Sequence, residues 1–161
     1  MPTYAGSAWK FFNSFRLWEG DGTLDMDLDA LWVSLHTSLW TPDVTKTVKA
    51  DLNNEVANGA GGIYVTGGLQ LTGRSFAQDS STPSMVKLTA NALSWAASGG
   101  SLDAMYAVLR AEVVRNGHTN PLIAYCALNN TGGTPATVST ASGQTLTLSF
   151  PNAIFYKQGG N

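Results

Sequence analysis

Met105-Tyr106-Ala107-Val108-Leu109-Arg110-Ala111-Glu112-Val113, then Asn116-Gly117-His118-Thr119-Asn120-Pro121, then Leu122-Ile123-Ala124-Tyr125-Cys126-Ala127-Leu128 read as an apolar run, a turn and a second apolar run. Asn-Gly marks a hairpin turn because both central positions of the tight turn need positive φ, which those two residues tolerate best. The apolar runs on either side then pair as antiparallel strands, with the first a candidate for the centre of a sheet. That first run has a helical alternative, since Ala, Leu and Glu favour helix.

Downstream, Gly132 to Thr140 is a Thr-rich loop, and Thr145-Leu146-Thr147-Leu148-Ser149-Phe150 alternates with its Thr and Ser residues outward. Pro151-Asn152 turns the chain into a last short strand, Ile154-Phe155-Tyr156. Upstream, Ser98-Gly99-Gly100-Ser101 is a turn, and Val86 to Trp95 holds one strand or two with a tight bend. Arg74 to Pro83 reads as an exposed polar loop. Ile63-Tyr64-Val65-Thr66 reads as a short strand broken by Gly67-Gly68, and Leu69 to Gly73 as another. Asn58 to Gly62 is a glycine loop; Val44, Val48 and Leu52 recur every four residues, as in one or two helical turns, after a turn or short helix start at Trp40-Thr41-Pro42-Asp43. Leu31 to Thr37 is a strand with Val33 and Leu35 inward. Leu24-Asp25-Met26-Asp27-Leu28-Asp29-Ala30 alternates strictly between apolar and acidic, which predicts a strand with a solvated acidic edge.

The beginning of the chain has a different period. Ala8, Phe11, Phe12, Phe15 and Trp18 follow helical spacing, with Ser7 as N-cap and Gly20 as stop, which predicts a helix over 7–19 with Trp9 and Leu17 off its stripe. One N-terminal helix followed by about eight short strands predicts a single mainly β domain over 1–161, with an antiparallel, jelly-roll-like β-sandwich over 24–156 or a small barrel.

Composition narrows the function. The chain has 161 residues, enough to bury a core without disulfides or metals, and it carries one cysteine. A net charge of −2 leaves no basic footprint for nucleic acid. No apolar run approaches the ~20 residues of a membrane span. Met1 to Ser7 has neither a basic region nor a long apolar core, so no secretory signal is expected. Charged residues make up only 12%, while 14 Ser, 17 Thr, 11 Asn and 17 Gly take their place. A neutral polar surface of this kind can approach a neighbouring subunit without desolvating many charges.

The order of motifs is also informative. Phe15 to Asp27 gives a short helix, a glycine turn and a Leu-Asp-x-Asp stretch. Leu31-Trp32-Val33-Ser34-Leu35, Trp40-Thr41-Pro42-Asp43, Glu55-Val56, Gly59 to Gly62 and Gly67 to Gly73 follow. Leu88-Thr89-Ala90, Leu93-Ser94-Trp95, Met105-Tyr106-Ala107-Val108 and Leu122-Ile123-Ala124-Tyr125 complete the series. This series resembles small structural proteins of tailed bacteriophages, most closely head decoration (cement) proteins. The resemblance implies a location on the outer surface of the phage head, the major capsid protein as partner and a homo-oligomer, a trimer by expectation. It implies no catalytic residue and no cofactor.

Several chemical constellations have plainer readings. Asp21, Asp25, Asp27 and Asp29 invite calcium, but an EF-hand loop begun at Asp25 has Ala30 where Gly is required and His36 where Glu is required. His36, His118 and Cys126 lack the paired spacing of a zinc site. Cys126 with His118 lacks any sign of thiolate activation. No Gly-Lys-Ser/Thr follows the glycine loop, and no Gly-x-Ser-x-Gly elbow occurs. Asp51 and Glu55 are a common surface spacing, and Asn129-Asn130-Thr131 matters only in a secreted chain. Phe11, Phe12, Phe15 and Trp18 read as core. Tyr4, Trp9 and Trp40 sit beside turns or off the stripe and are the candidate partner-interface residues. The expectation is a non-enzymatic head decoration protein. A tail or adaptor component is the alternative, and a carbohydrate-binding module using Trp9, Trp40 or Trp95 is the other.

Overall fold

A computed structural model describes residues 3–4, 6–130, 133–151 and 153–158. Asn152 of the expected Pro151-Asn152 turn, Thr131 and Gly132 of the Thr-rich stretch, and Met1, Pro2 and Ala5 lie outside the described residues. The chain is mainly β. Its strands are β1 (Thr3–Tyr4), β2 (Lys10–Phe11), β3 (Leu31–His36), β4 (Leu69–Gln70), β5 (Ser75–Gln78), β6 (Met85–Thr89), β7 (Leu93–Ala96), β8 (Leu102–Ala104) and β9 (Tyr106–Ala111). They continue with β10 (Val114–Arg115), β11 (His118–Thr119), β12 (Leu122–Ala127), β13 (Val138–Thr140), β14 (Thr145–Leu148) and β15 (Phe155–Gln158). The α-helix among the described residues is α1 (Phe15–Gly20).

The apolar runs that flank Asn116-Gly117 do form the centre. A five-stranded sheet has the order β2-β12-β9-β3-β4, with every neighbour antiparallel. The turn itself closes the short β10–β11 ribbon, with Asn116 at φ 50° and Gly117 at φ 79°. Helix loses to strand in 105–113 because Leu109, Ala107 and Ala111 bury completely between β3 and β12, where each backbone group finds a ladder partner. Val33 and Leu35 face inward as expected.

One side of this sheet packs on Leu88, Leu93, Trp95, Leu102, Val138, Leu146, Leu148 and Phe155 in a single core. Those residues come from β6 to β8 and β13 to β15, which are divided among three small sheets: β1-β14-β7, β13-β8 and β15-β6-β5. The second layer is therefore broken, and a two-sheet sandwich is not closed by continuous pairing. The β1–β14 pair is parallel, against the antiparallel expectation.

Five segments depart from the sequence reading. The helix over 7–19 shrinks to six residues, because Ser7 and residues 10–12 pair with β12 instead. Ser7 N–H donates to Ala127 O at 2.8 Å, Ala127 N–H donates to Ser7 Oγ at 3.0 Å, and Phe12 N–H donates to Ile123 O at 3.1 Å. A short helix pays a nucleation cost that an already formed strand edge avoids. Leu24 to Ala30 is a turn, not a strand. The Asp25 carboxylate accepts N–H bonds from Asp27 and Leu28, and Asp29 accepts the Asp25 N–H at 2.8 Å, so aspartates satisfy the backbone locally. Ile63 to Thr66 is loop, pinned by Tyr64. Arg74 to Pro83 contains β5, which pairs with β6, and Val44 to Leu52 is irregular apart from a 3-10 turn at Lys49–Asp51.

Candidate functional site

Period two gives the five-stranded sheet a second face, opposite the core. Val33, Leu35, Ala107, Leu109 and Cys126 point to the core, so the alternate residues point away from it. Trp32, Ser34 and His36 on β3 lie opposite Arg110, Val108 and Tyr106 on β9; Tyr125 on β12 lies opposite Val108 on one side and Lys10 of β2 on the other. The shift of register between Leu122 and Ala124 lets Ile123 and Ala124 both reach the main core while Leu122 joins the second face. Residues 37–56 cover much of this face with Trp40, Val44 and Leu52, which pack on Phe12, Val108, Leu122 and Tyr125.

Buried polar groups on and beside this face bond side chains and backbone, with Arg110 Nε left without a partner among the described residues. Arg110 is 1% exposed. Its Nη1 donates to Gly67 O at 2.9 Å, its Nη2 meets Glu112 Oε2 at 2.6 Å, and its guanidinium carbon lies 5.8 Å from the Trp32 ring centre. Glu112 also accepts from Asn120 at 2.9 Å. The Tyr64 hydroxyl accepts the Leu35 N–H at 3.0 Å and donates to Glu55 at 2.8 Å, and Gly67 N–H donates to the same Glu55 oxygen. Burial, then the Glu55 charge, raises the Tyr64 phenol above its ordinary range, so it stays a donor.

Ser34 Oγ lies 3.2 Å from His36 Nε2, the spacing of a nucleophile and its base. His36 Nδ1 faces Asn53 O at 3.0 Å, so that nitrogen carries the proton and Nε2 accepts. Burial lowers the His36 pKa and favours this neutral ring. Yet Ser34 and His36 are each 1% exposed, and the His36 ring packs tilted against Trp40 with ring centres 4.9 Å apart, so the pair is enclosed by protein. The sequence reading missed this pair, although its signal was present: two polar residues at i and i+2 within an apolar strand share a face.

The other sequence candidates scatter. His118 lies against Trp18 at 5.0 Å between ring centres, His36 is on the second face, and Cys126 points to the core. Burial raises the Cys126 thiol well above its ordinary range. Among the described residues no three His, Cys, Asp or Glu side chains come together as a metal-binding group. Three of the four acidic residues at 21–29 are occupied locally: Asp21 accepts the Thr23 N–H, Asp25 accepts from Asp27 and Leu28, and Asp29 forms a forked pair with Arg115 at 2.9 and 3.3 Å. Asp51 accepts from Thr47 and Val48, which holds its carboxyl below the usual range.

Of the three interface candidates, Trp40 is 3% exposed and belongs to the chain's own packing, with Tyr106 and Tyr125 at 5.3 and 5.5 Å. Tyr4 is half-buried on β1, and Trp9 is half-buried against the core with Phe150 at 6.4 Å. Trp95 is buried as well, so Trp9, Trp40 and Trp95 do not form a common stacking platform.

Two surface features were not read from the sequence. A cavity of about 260 Å³ opens between Lys10, Tyr106, Tyr125, Pro42 and Asn130. At the opposite end of β9, α1, the turn at 21–29 and the β10–β11 ribbon form a lobe that exposes Leu17, Leu28 and Val114. The lobe is tied by Asp29 to Arg115, by Trp18 on His118 and by Asn116 Nδ2 donating to Thr23 Oγ1 at 3.1 Å. Arg74 adds bonds to the carbonyls of Asp27 and Asp29. No protein-family model, curated protein or solved structure matches the chain.

Proposed function

We propose that this chain is a non-enzymatic decoration protein of a tailed-bacteriophage head, which binds the outer surface, bridges major capsid subunits and acts as a homo-oligomer, a trimer in the simplest case. The observation that carries the reading is the lobe at the Ala111 end of β9, cross-linked by Asp29–Arg115, Trp18–His118 and Asn116–Thr23, with three exposed aliphatic side chains. Leu28 is 79% exposed although it sits in a turn fixed by three carboxylate-to-amide bonds. Val114 and Leu17 are also exposed, on elements tied to the same turn. Side chains held outward by their own backbone lose little freedom on docking, so more of their burial appears as affinity. The motif order of the sequence and its sparse charge point the same way.

The mechanism is mechanical. Packaged DNA presses the shell outward, and junctions between capsid subunits tend to open. A protein that binds only the expanded lattice stabilises it by its own binding free energy. In an oligomer each contact raises the effective concentration of the next, so modest interfaces sum to firm attachment. With charged residues at 12% of the chain, attachment depends little on salt.

Gentle disruption of purified particles, followed by mass spectrometry of head and tail fractions, is expected to recover the chain on heads in many copies. Recovery with tails alone places it in a tail or adaptor role and overturns the proposal. On heads stripped of the protein, Leu28→Ser with Val114→Ser is expected to rebind at least about tenfold more weakly while its far-UV circular dichroism is unchanged. Equal rebinding removes the lobe from the interface.

A further inference from the structure

The cavity at the Tyr106 end of the sheet combines a built wall with unused donors. Lys10 and Tyr125 are cross-strand partners, and Tyr106 lies two residues from Val108, the other partner of Tyr125, so the three side chains share one face. Tyr125 is 9% exposed, with its ring enclosed by Phe12 at 5.6 Å and Trp40 at 5.5 Å. The Tyr125 hydroxyl nevertheless has no hydrogen-bond partner among the described residues, and it is not among the side-chain atoms sealed from solvent. Burying an aromatic ring so completely while its hydroxyl opens into a cavity leaves a polar group that a ligand can satisfy. Among the described residues Lys10 makes no ion pair, and no Asp or Glu lines the cavity. Burial and the neighbouring Tyr106 raise the Tyr125 phenol, which keeps its proton available for donation.

Donor chemistry and shape then limit the occupant. An ammonium, two phenols and the Asn130 amide favour a ligand rich in acceptor oxygens, with a negative charge for Lys10 to meet. The Tyr106 ring and Pro42 supply apolar walls for the C–H face of a ring. A volume of about 260 Å³ admits one sugar ring and not an extended chain. We propose that this cavity binds an acidic monosaccharide, a carboxylate on a hydroxylated ring, either free or as the end unit of an anionic glycan. Lys10 meets the carboxylate, and the Tyr106 and Tyr125 hydroxyls bond the ring oxygens. This site stands apart from the lobe of the proposed docking surface and is tested without particles.

The test is an NMR titration of the full ¹⁵N-labelled chain with glucuronate, with glucose, acetate and inorganic phosphate as separate arms. Glucuronate is expected to give saturable shifts at Lys10, Tyr106 and Tyr125 and their neighbours. Glucose and acetate should each bind at least about tenfold more weakly, because each lacks half of the recognised chemistry. Tyr125→Phe keeps the buried ring, and Lys10→Met keeps the length of the stem; each is expected to weaken glucuronate about tenfold at an unchanged melting temperature. Four results overturn the proposal: no saturable shift with glucuronate, equal binding of acetate or phosphate, equal binding of glucose, or unchanged binding in both variants.

Discussion

Gly68 shows how one residue can fix an edge of the sheet. Its φ is +80°, and a Cβ there would stand 1.8 Å from the Val33 carbonyl oxygen, a backbone atom that cannot swing aside. Gly68→Ala is therefore expected to cost more than about 2 kcal/mol, read as a lowered urea midpoint, because it adds left-handed strain to a main-chain clash. Asp29 acts at the same scale by a different means. Its buried carboxylate is held by Arg115 and the Asp25 N–H, so Asp29→Ala leaves those donors unmatched and should destabilise by about 1–3 kcal/mol. A double-mutant cycle with Arg115→Ala isolates the pair, and strict additivity would show that the pair does not couple. His36 gives a pH signature. Burial holds its ring neutral in the fold, below the ordinary value of 6.5, whereas the unfolded chain takes up the proton near 6.5. The unfolded state then binds more protons, so stability is present above 6.5 and is lost as pH falls from there toward the folded value. Urea midpoints at about pH 5 and about pH 7 should differ less in His36→Asn than in the parent chain; an equal difference removes His36 as the source.

At the scale of elements, the β10–β11 ribbon depends on its turn. Asn116 and Gly117 both have positive φ, and Asn116 also bonds Thr23 of the neighbouring loop. Gly117→Ala is expected to cost about 1 kcal/mol in the thermal midpoint. Asn116→Gly keeps the turn geometry but drops the Thr23 bond, so proteolysis within residues 21–29 should quicken while the turn survives. This turn, β3, β9 and β12 were legible in the sequence because their local chemistry and their long-range packing agree. Residues 7–19 were misread because their aromatic spacing serves two periods at once. Phe11 stacks on Phe15 at 4.9 Å in the main core while Phe12 joins the other cluster, a division that only strand geometry allows. The alternation in 24–30 was equally deceptive, since aspartates that could line a strand edge instead accept backbone N–H bonds and throw Leu28 outward. Of the site, Tyr106, Val108 and Arg110 do alternate with Ala107, Leu109 and Ala111, so a second, polar face was written into β9. What covers that face comes from residues 37–56, where the four-residue spacing of Val44, Val48 and Leu52 points to helical turns, while the chain runs irregularly apart from the 3-10 turn at Lys49–Asp51.

For the molecule as a whole, the main core draws on β3, β9 and β12 and on β6 to β8 and β13 to β15, so the broken second layer is held to the five-stranded sheet by a shared interior. Cys126 sits inside it, 1% exposed, and a Cβ placed on Gly6 would touch its sulfur at 3.0 Å. A thiol reagent can reach that sulfur only after the packing around it opens, and the raised thiol pKa keeps thiolate scarce in the closed fold. If the interior opens as one unit, labelling of Cys126 in the native state is expected to follow the global unfolding equilibrium. Its dependence on urea should equal the slope of the equilibrium transition, and its free energy should equal that of unfolding wherever reclosing outpaces labelling. A shallower slope would mean that the N-terminal strands β1 and β2 peel from β14 and β12 by themselves, exposing the thiol while the rest stays folded. The distinction bears on the proposed work of the protein. A clamp across capsid junctions carries load through its whole body, and a subunit that frays at one edge would release the shell there first. Gly68→Ala and Gly117→Ala supply the control. Global coupling requires that each speed labelling in proportion to its loss of stability, although neither position touches Cys126.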